Sequence, residues 1–438
     1  MELKKIKDIF SFEKGSLQST KSVEGQYDFI TASSNWKTHN SFDYDCEALI
    51  VAVAASGSLG RVHYANGKFI SSDLCFILKP KDSKKFPVNL EFFYSIFKSL
   101  KEDLVKSTAT GTAKKSINKT NFGNYVIPYY NIEEQNRLKP VFEKVADNSE
   151  KINFELSNQK QLLSKLKQSI LKEAIAGKLT ADWRKQNSNT ESASELLGRI
   201  KTEKNQLIKE KQIKKEKTLP PITENELPYE LPKSWTWCRL GAVSLYLNGK
   251  GFDSSDFQKS NGVKCIKITN AGVGEIVETD DTLPNEFKEI YSDYLVYEND
   301  IVIALTRPYI KDGLKVSLCP KGYNESLLNQ RVAVIKGFSV KNEYIYKFLR
   351  SDFVLNGYKE EFDSKGQQPN LKTDHITNLL FPLPPFEEQK AIVEKVETLM
   401  LKCQALEEEI KTSEANAQML MQAVLKEAFE DKKEEVVI

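Results

Sequence analysis

"EEQKAIVEKVETLMLKCQALEEEIKTSEANAQMLMQAVLKEAF" occupies residues 387–429 and contains neither glycine nor proline. Apolar or small residues recur at Ile392, Val396, Leu399, Cys403, Leu406, Ile410, Ser413, Ala417, Leu420 and Val424, in steps that alternate four and three. That spacing is the a/d seam of a heptad helix, sustained beyond four repeats. The phrase is written twice. Displaced by 254 residues, "FGNYVIPYYNIEEQNRLKPVFEKV" at 122–145 lies on "ITNLLFPLPPFEEQKAIVEKVETL" at 376–399 without a gap. In the same register "QSILKEAI" at 168–175 lies on "QAVLKEAF" at 422–429.

The first copy has its own seam: Leu138, Phe142, Val145, Ser149, Ile152, Leu156, Gln159, Leu163, Leu166 and Ile170. Its one proline, Pro140, falls within the first turns, where a missing N–H does least harm. Each copy predicts a helix of about 44 residues, rising roughly 65 Å. An amphipathic helix of that length must cover its apolar stripe. A copy of equal length in the same chain is the simplest cover, so an antiparallel intramolecular coiled coil with pseudo-twofold symmetry is expected. Pairing of each helix with another protein remains open on spacing alone.

The rest of the chain is long enough for two cores: 438 residues exceed what one compact domain holds. Six cysteines are scattered without a CxxC, and three histidines have no metal-ligand spacing, so reduced and mostly buried thiols are expected. The longest apolar run, "ALIVAVAA" at 48–55, is too short to span a bilayer, and "MELKKIKDIF" has no signal-peptide core. A cytoplasmic protein without a membrane partner is the expectation. Net charge is +2 overall, distributed as about +5 over residues 1–130, +4 over 131–234, −1 over 235–386 and −6 over 387–438. A basic first half suits a polyanionic partner and equally suits a solvated surface.

Before each helix lies a block rich in short strand-like pieces and turn signals, such as "YDFITASSNW" and "DIVIALTRP". "SASE" at 192–195 is a capping box, and "LPPITENELPYELPKSWTW" has the prolines of a stiff connector. The expected order is therefore a globule at 1–130, a long helix at 131–178 and a short charged helix with a Pro-rich connector at 179–234. A second globule at 235–386, the second long helix at 387–430 and a charged tail at 431–438 follow. The fold class is α+β, with two mixed α/β globules separated by the paired helices.

The phrases "PLPPFEEQKAIVEKVE", "QSILKEAIAGKLTADW", "ELPKSWTW" and "GQQPNLK", in this order of blocks, resemble the specificity subunit of type I restriction-modification enzymes. The likeness covers essentially the whole chain. The first copy departs in reading "IPYYNIEEQ", in starting without an "ELPKSWTW"-like leader, and in carrying "GTAKKSINK" where the second has "GQQPNLK". The resemblance implies a non-catalytic subunit whose two globules are target-recognition domains, each reading half of a bipartite site in double-stranded DNA. It implies helices that set the gap and dock two methyltransferase (modification) subunits, with restriction subunits joining the complex. S-adenosylmethionine, ATP and Mg would then sit on those partners and no cofactor on this chain. A related restriction system is an equally compatible setting.

Residue types that read bases or hold phosphates cluster in polar loops. In the first block "SSNWKTHNS" offers Lys37, Thr38, His39 and Asn40, "SGSLGR" ends at Arg61, and "TGTAKKSINK" carries Thr112, Lys114, Lys115 and Lys119. In the second, "KITNAG" contains Thr269 and Asn270, and "TRPYIKDGLK" contains Arg307, Tyr309, Lys311 and Lys315. "LLNQR" supplies Asn329, Gln330 and Arg331, and "KGQQPNLKT" supplies Gln367, Gln368, Asn370 and Lys372. Each also has a plain reading as a solvated or hydrogen-bonded loop. The repeated Glu-Glu-Gln at 133–135 and 387–389 sits at helix starts, where acidic residues complement the macrodipole, so no catalytic carboxylate is read there.

Two rival functions are weaker. A methyltransferase needs an amide or carboxylate ahead of Pro-Pro-aromatic to hold the target amine, and "LPPF" at 383–386 has leucine there. A coiled-coil adaptor unrelated to DNA explains the repeat as well, and fails only on the specific phrases.

Overall fold

In the computed structural model the described residues are 1–55, 57–111, 115–214, 217–310, 313–363 and 368–430, without the side chains of 421, 422 and 424–430. Thr112, Lys114, Lys311, Gln367 and the Val424 side chain lie outside this description. The chain forms two compact units: Met1–Lys160 together with the chain from Glu408 onward, and Gln161–Glu407.

The first unit is built on a six-stranded sheet. Its strands are β2 (Phe10–Lys14), β3 (Tyr27–Ile30), β4 (Lys37–His39), β5 (Tyr44–Ala52), β6 (Val62–Ser71) and β7 (Cys75–Pro80), after β1 (Glu2–Lys5). They lie in the order β2-β7-β5-β6-β3-β4, with only β3 and β6 parallel. "YDCEALIVA" begins in alternation and ends fully buried, because both faces of the central strand are covered. Leu49 and Val51 face helix α1 (Leu90–Ser99) and its Phe92, Phe93, Ile96 and Phe97. Ala48, Ile50 and Ala52 join Ala65, Phe69 and Ile77 in a second core on the other face. The expected loop at 37–39 is instead an edge strand, paired with Tyr27–Phe29.

The second unit is built on a four-stranded and a five-stranded sheet. β9 (Ser244–Asn248) pairs with β14 (Val332–Gly337), which pairs with β11 (Ile301–Ala304), which pairs with β12 (Val316–Leu318), all antiparallel. A five-stranded sheet contains the parallel neighbours β10 (Val263–Ile266) and β13 (Ser326–Leu328). Helix α4 (Asn342–Leu349) follows β14, and α5 (Asp352–Asp363) follows α4.

Different sheets are closed by the same clasp. In the first unit β1 pairs antiparallel with Val126–Tyr129, setting Leu3 opposite Pro128. In the second, Thr236–Arg239 pairs antiparallel with Leu380–Leu383, setting Trp237 opposite Pro382. The two prolines occupy equivalent positions of the sequence repeat, on two-stranded ladders where a missing N–H is tolerated.

Each clasp leads into a long helix: α2 (Ile132–Ile175) has 44 residues, and α6 (Phe386–Glu430) has 45. Their seams are only partly core, which corrects the expectation of continuous burial. Leu138, Phe142, Ile392 and Val396 are buried near the helix starts, and Leu138 and Phe142 belong to the core of the first globule. Farther along, the every-seventh row of Leu156, Leu163 and Ile170 is buried, as are Cys403 and Ile410. Val145 and Leu399 are half-buried. Ile152, Leu166, Leu406 and Leu420 are exposed, Leu420 by 61 %. A helix covered along one side only has a strip about one row wide shielded, so the second row of the heptad stays outside.

All six cysteines are free and all but Cys46 are buried. Burial pushes the Cys75 thiol up to about 12, which leaves it inert. No helix among the described residues is long and apolar enough to cross a membrane.

Candidate nucleic-acid interface

In the second globule, phrases far apart in sequence are stitched into one surface at the end of β11. The Arg307 N–H donates to the Pro369 carbonyl at 3.1 Å, the Leu371 N–H donates to Leu305 at 2.8 Å, and Thr306 bridges Asn370. The Leu305 N–H donates to the Arg331 carbonyl at 3.0 Å, and the Lys315 N–H donates to Pro308 at 2.7 Å. Arg307, Gln330, Arg331, Gln368 and Asn370 are exposed there, with Lys315 and Asn329 half-buried at the base. Among the described residues neither arginine has an ion-pair partner, so both guanidinium groups keep their donors for a ligand. Lys372 is exposed one turn further on, ahead of the short helix Thr373–Thr377.

Arg307 is held at φ 49°, in the left-handed region that a side chain normally avoids. The backbone bonds on either side of it over-determine this conformation, as is common where a site aims a side chain. Tyr309 behaves differently. Its hydroxyl donates to Asp363 at 2.7 Å, and burial followed by that carboxylate pushes the phenol up to about 12.

Asn270 is not a reader. It is fully buried, its oxygen accepts from the Lys267 N–H at 2.9 Å, and its amide donates to Val277, Thr279 and Tyr323. The loop needs it as a staple, which leaves only the exposed Thr269 available.

In the first globule the candidates gather less completely. The Arg61 guanidinium donates to the Ala32 carbonyl at 3.1 Å and to Ser58, so part of its bonding capacity is spent inside the globule. The Ala52 N–H donates to Arg61 and the Ile117 N–H to Val53, which brings the 33–36 loop and the exposed Lys115 to the same end of the sheet. Lys37 and Thr38 are exposed along β4 and Asn40 just after it, and Lys37 reaches the Ser19 carbonyl at 2.9 Å. His39 is buried, packed on Phe29 and bonded to Ser41, because strand pairing turns it inward. Lys119 stands apart, over the Phe12 ring.

Trp36 and His63 were missed as a pair, since nothing in their spacing links them. The Trp36 indole donates to His63 Nδ1 at 3.2 Å, and Trp36 remains 39 % exposed on the loop. Burial, with Arg61 adding to it, pushes His63 from 6.5 down to about 4. The unfolded chain protonates near 6.5 and the native one only near 4, so the stability from the neutral ring is full above pH 6.5. It is lost as pH falls toward 4. The thermal midpoint of the full chain is expected to drop across that window, and the drop to flatten in His63→Gln; equal slopes in both proteins disprove the assignment.

The Glu-Glu-Gln phrases hold a second surprise. Glu133, Glu387 and Glu388 all lie in the first turns, as the macrodipole reading expects; Glu133 and Glu387 are exposed there and Glu388 is fully buried. It accepts from Thr180 Oγ1 at 2.6 Å, from Trp235 Nε1 at 2.8 Å and from the Arg184 guanidinium. One carboxyl thus gathers "AGKLTADWR" and "ELPKSWTW" onto the start of α6.

The family described as type I restriction modification DNA specificity domain matches residues 1–173 and 232–413, taking in both globules and most of both long helices. The chain is 41 % identical over 251 residues to the type I restriction enzyme EcoAI specificity subunit of Escherichia coli. That match covers 57 % of this chain and 41 % of the relative. It is 25 % identical over 415 residues to the MjaVIII specificity subunit of Methanocaldococcus jannaschii, covering 91 % of this chain and 85 % of that one. A chain from a solved structure on the assembly and conformational transition of a type I R-M system shares the fold, with a TM-score of 0.58 at 15 % identity, over 98 % of this chain and 97 % of that one. With the family's motif matched twice, once on each globule and the helix that leaves it, the chain belongs to the type I restriction-modification DNA specificity family.

Proposed function

We propose that this chain is the non-catalytic DNA-recognition subunit of a type I restriction-modification complex, reading a bipartite duplex site with one globule per half-site. The observation that carries this is the double family match on two globules whose sheets differ. Unlike heads read unlike sequences, and matched helices fix the gap between them. Half-sites on one face of a duplex are about one helical turn apart, roughly 34–36 Å, so a helix pair of set length converts residues into base pairs.

The helices are read as an antiparallel coiled coil with pseudo-twofold symmetry. Lys160 pairs with Glu414 at 2.5 Å and Lys167 with Glu407 at 2.6 Å, so seven residues forward on one helix are seven back on the other. The apolar residues left outside, among them Phe154, Leu162, Leu166, Leu401 and Met419, are the surface on which two methyltransferase subunits dock. Restriction subunits join that complex, and S-adenosylmethionine, ATP and Mg are bound by the partners. The setting is cytoplasmic.

The test is selection from random duplexes by the full chain assembled with its methyltransferase subunits. Recovery of one bipartite sequence with a fixed gap is expected, with affinity falling steeply as salt rises. Recovery of no sequence moves the chain to the adaptor reading.

A further inference from the structure

The third residue of the repeated Glu-Glu-Gln is fully buried in both copies, and two of its bonds recur in both: one to the carbonyl five residues back and one from a helix N-cap N–H. Gln135 Oε1 accepts the Asn89 N–H at 2.7 Å, and its amide donates to the Tyr130 carbonyl at 2.7 Å and the Pro87 carbonyl at 2.9 Å. Gln389 Oε1 accepts the Lys341 N–H at 2.9 Å, and its amide donates to the Pro384 carbonyl at 3.2 Å. Asn89 and Lys341 are equivalent positions in another sense: each is the N-cap of its globule's helix, α1 or α4.

A second tie lies farther along each pair of helices. Lys98 of α1 meets Asp147 at 3.4 Å and Glu150 at 3.2 Å on α2, while Lys347 of α4 meets Glu397 at 3.7 Å on α6. Two attachment points per globule fix not only contact but direction. The globules have different sheets, yet this joint is reproduced in each.

We propose that Gln135 and Gln389 are positioning residues that set the angle between each reading globule and its own long helix, and thereby the gap length the protein accepts. The inference rests on the bipartite reading above. Removing a buried amide leaves the backbone donors and acceptors it held unsatisfied, so the joint loosens without any change at the loops that face bases.

The experiment is the same duplex selection, with half-sites and gap lengths both randomised, using the assembled complex of each variant. Gln135→Ala and Gln389→Ala are each expected to recover the unchanged half-site sequences. Preference for one gap length over its neighbours is expected to fall about tenfold. Lys341→Pro is the reciprocal variant: at a φ of −68° that proline adopts, it removes the N–H that Gln389 accepts, sets a ring methylene against that oxygen, and takes the ammonium off the Phe386 ring. It should widen the gap profile in the same way, which keeps the inference testable if Gln389→Ala does not fold. An unchanged gap profile in assembled variants overturns the inference, as does a changed half-site sequence, which would put the glutamine inside the reading head. Failure of the unsubstituted complex to select any bipartite site instead overturns the function on which the inference stands.

Discussion

Arg307→Gly is expected to weaken binding to the selected duplex while leaving the fold as stable as before, or more so. The two effects have opposite physical origins. At φ 49° the arginine backbone is strained, and glycine relieves that strain by about 1 kcal/mol. The exposed guanidinium has no ion-pair partner among the described residues, so its removal breaks no ion pair there. If it reads a guanine edge by two parallel hydrogen bonds, loss costs about 1–3 kcal/mol at one base pair of the half-site. Arg307→Lys separates this from phosphate binding: a lysine keeps the charge and loses the planar fork. Relaxed preference at one position in both variants supports base reading. Uniform weakening across all sequences, with a shallower salt dependence in Arg307→Gly alone, assigns the residue to a phosphate. Unchanged affinity in Arg307→Gly removes it from the interface.

Glu388→Ala is expected to destabilise the Gln161–Glu407 unit by roughly 3–5 kcal/mol, on the order of 10 °C in thermal midpoint. The carboxyl is fully buried, and the Arg184 guanidinium, the Thr180 hydroxyl and the Trp235 indole all point at it. Removing it leaves a half-buried cation and two donors without an acceptor, which costs more than the pair itself contributes. Glu387→Ala is the control: one residue away and exposed, it should stay within about 0.5 kcal/mol. Urea unfolding of the full chain checks both, and equal midpoints for the two variants would show that Glu388 is not the hub.

These two residues mark opposite ends of what the sequence reveals. Arg307 was legible as a candidate because its type and its polar loop are local properties. That it shares a surface with Gln368 and Asn370 was not legible, since the stitching is backbone hydrogen bonding between segments some sixty residues apart. Glu388 does lie in the first helical turn, as read, but its burial was not legible for a related reason. A helix start explains an acidic residue so readily that nothing local marks the one facing inward, and Glu387 and Glu388 look alike until their neighbours are placed. Asn270 and His39 went the same way: both are polar residues in polar phrases, and burial alone turns them into staples.

The amino-acid sequence by itself determined the two long helices, their equal length and register, the order of blocks and the family. Heptad spacing, the missing glycines and the 254-residue repeat are one-dimensional regularities that survive any packing. Only the tertiary structure decided which half of each seam is covered, which polar side chains face solvent, and that the glutamines of the repeat bind each globule to its helix. Those depend on what lies across a contact, and a partner 46 or 48 residues away has no signature in local spacing.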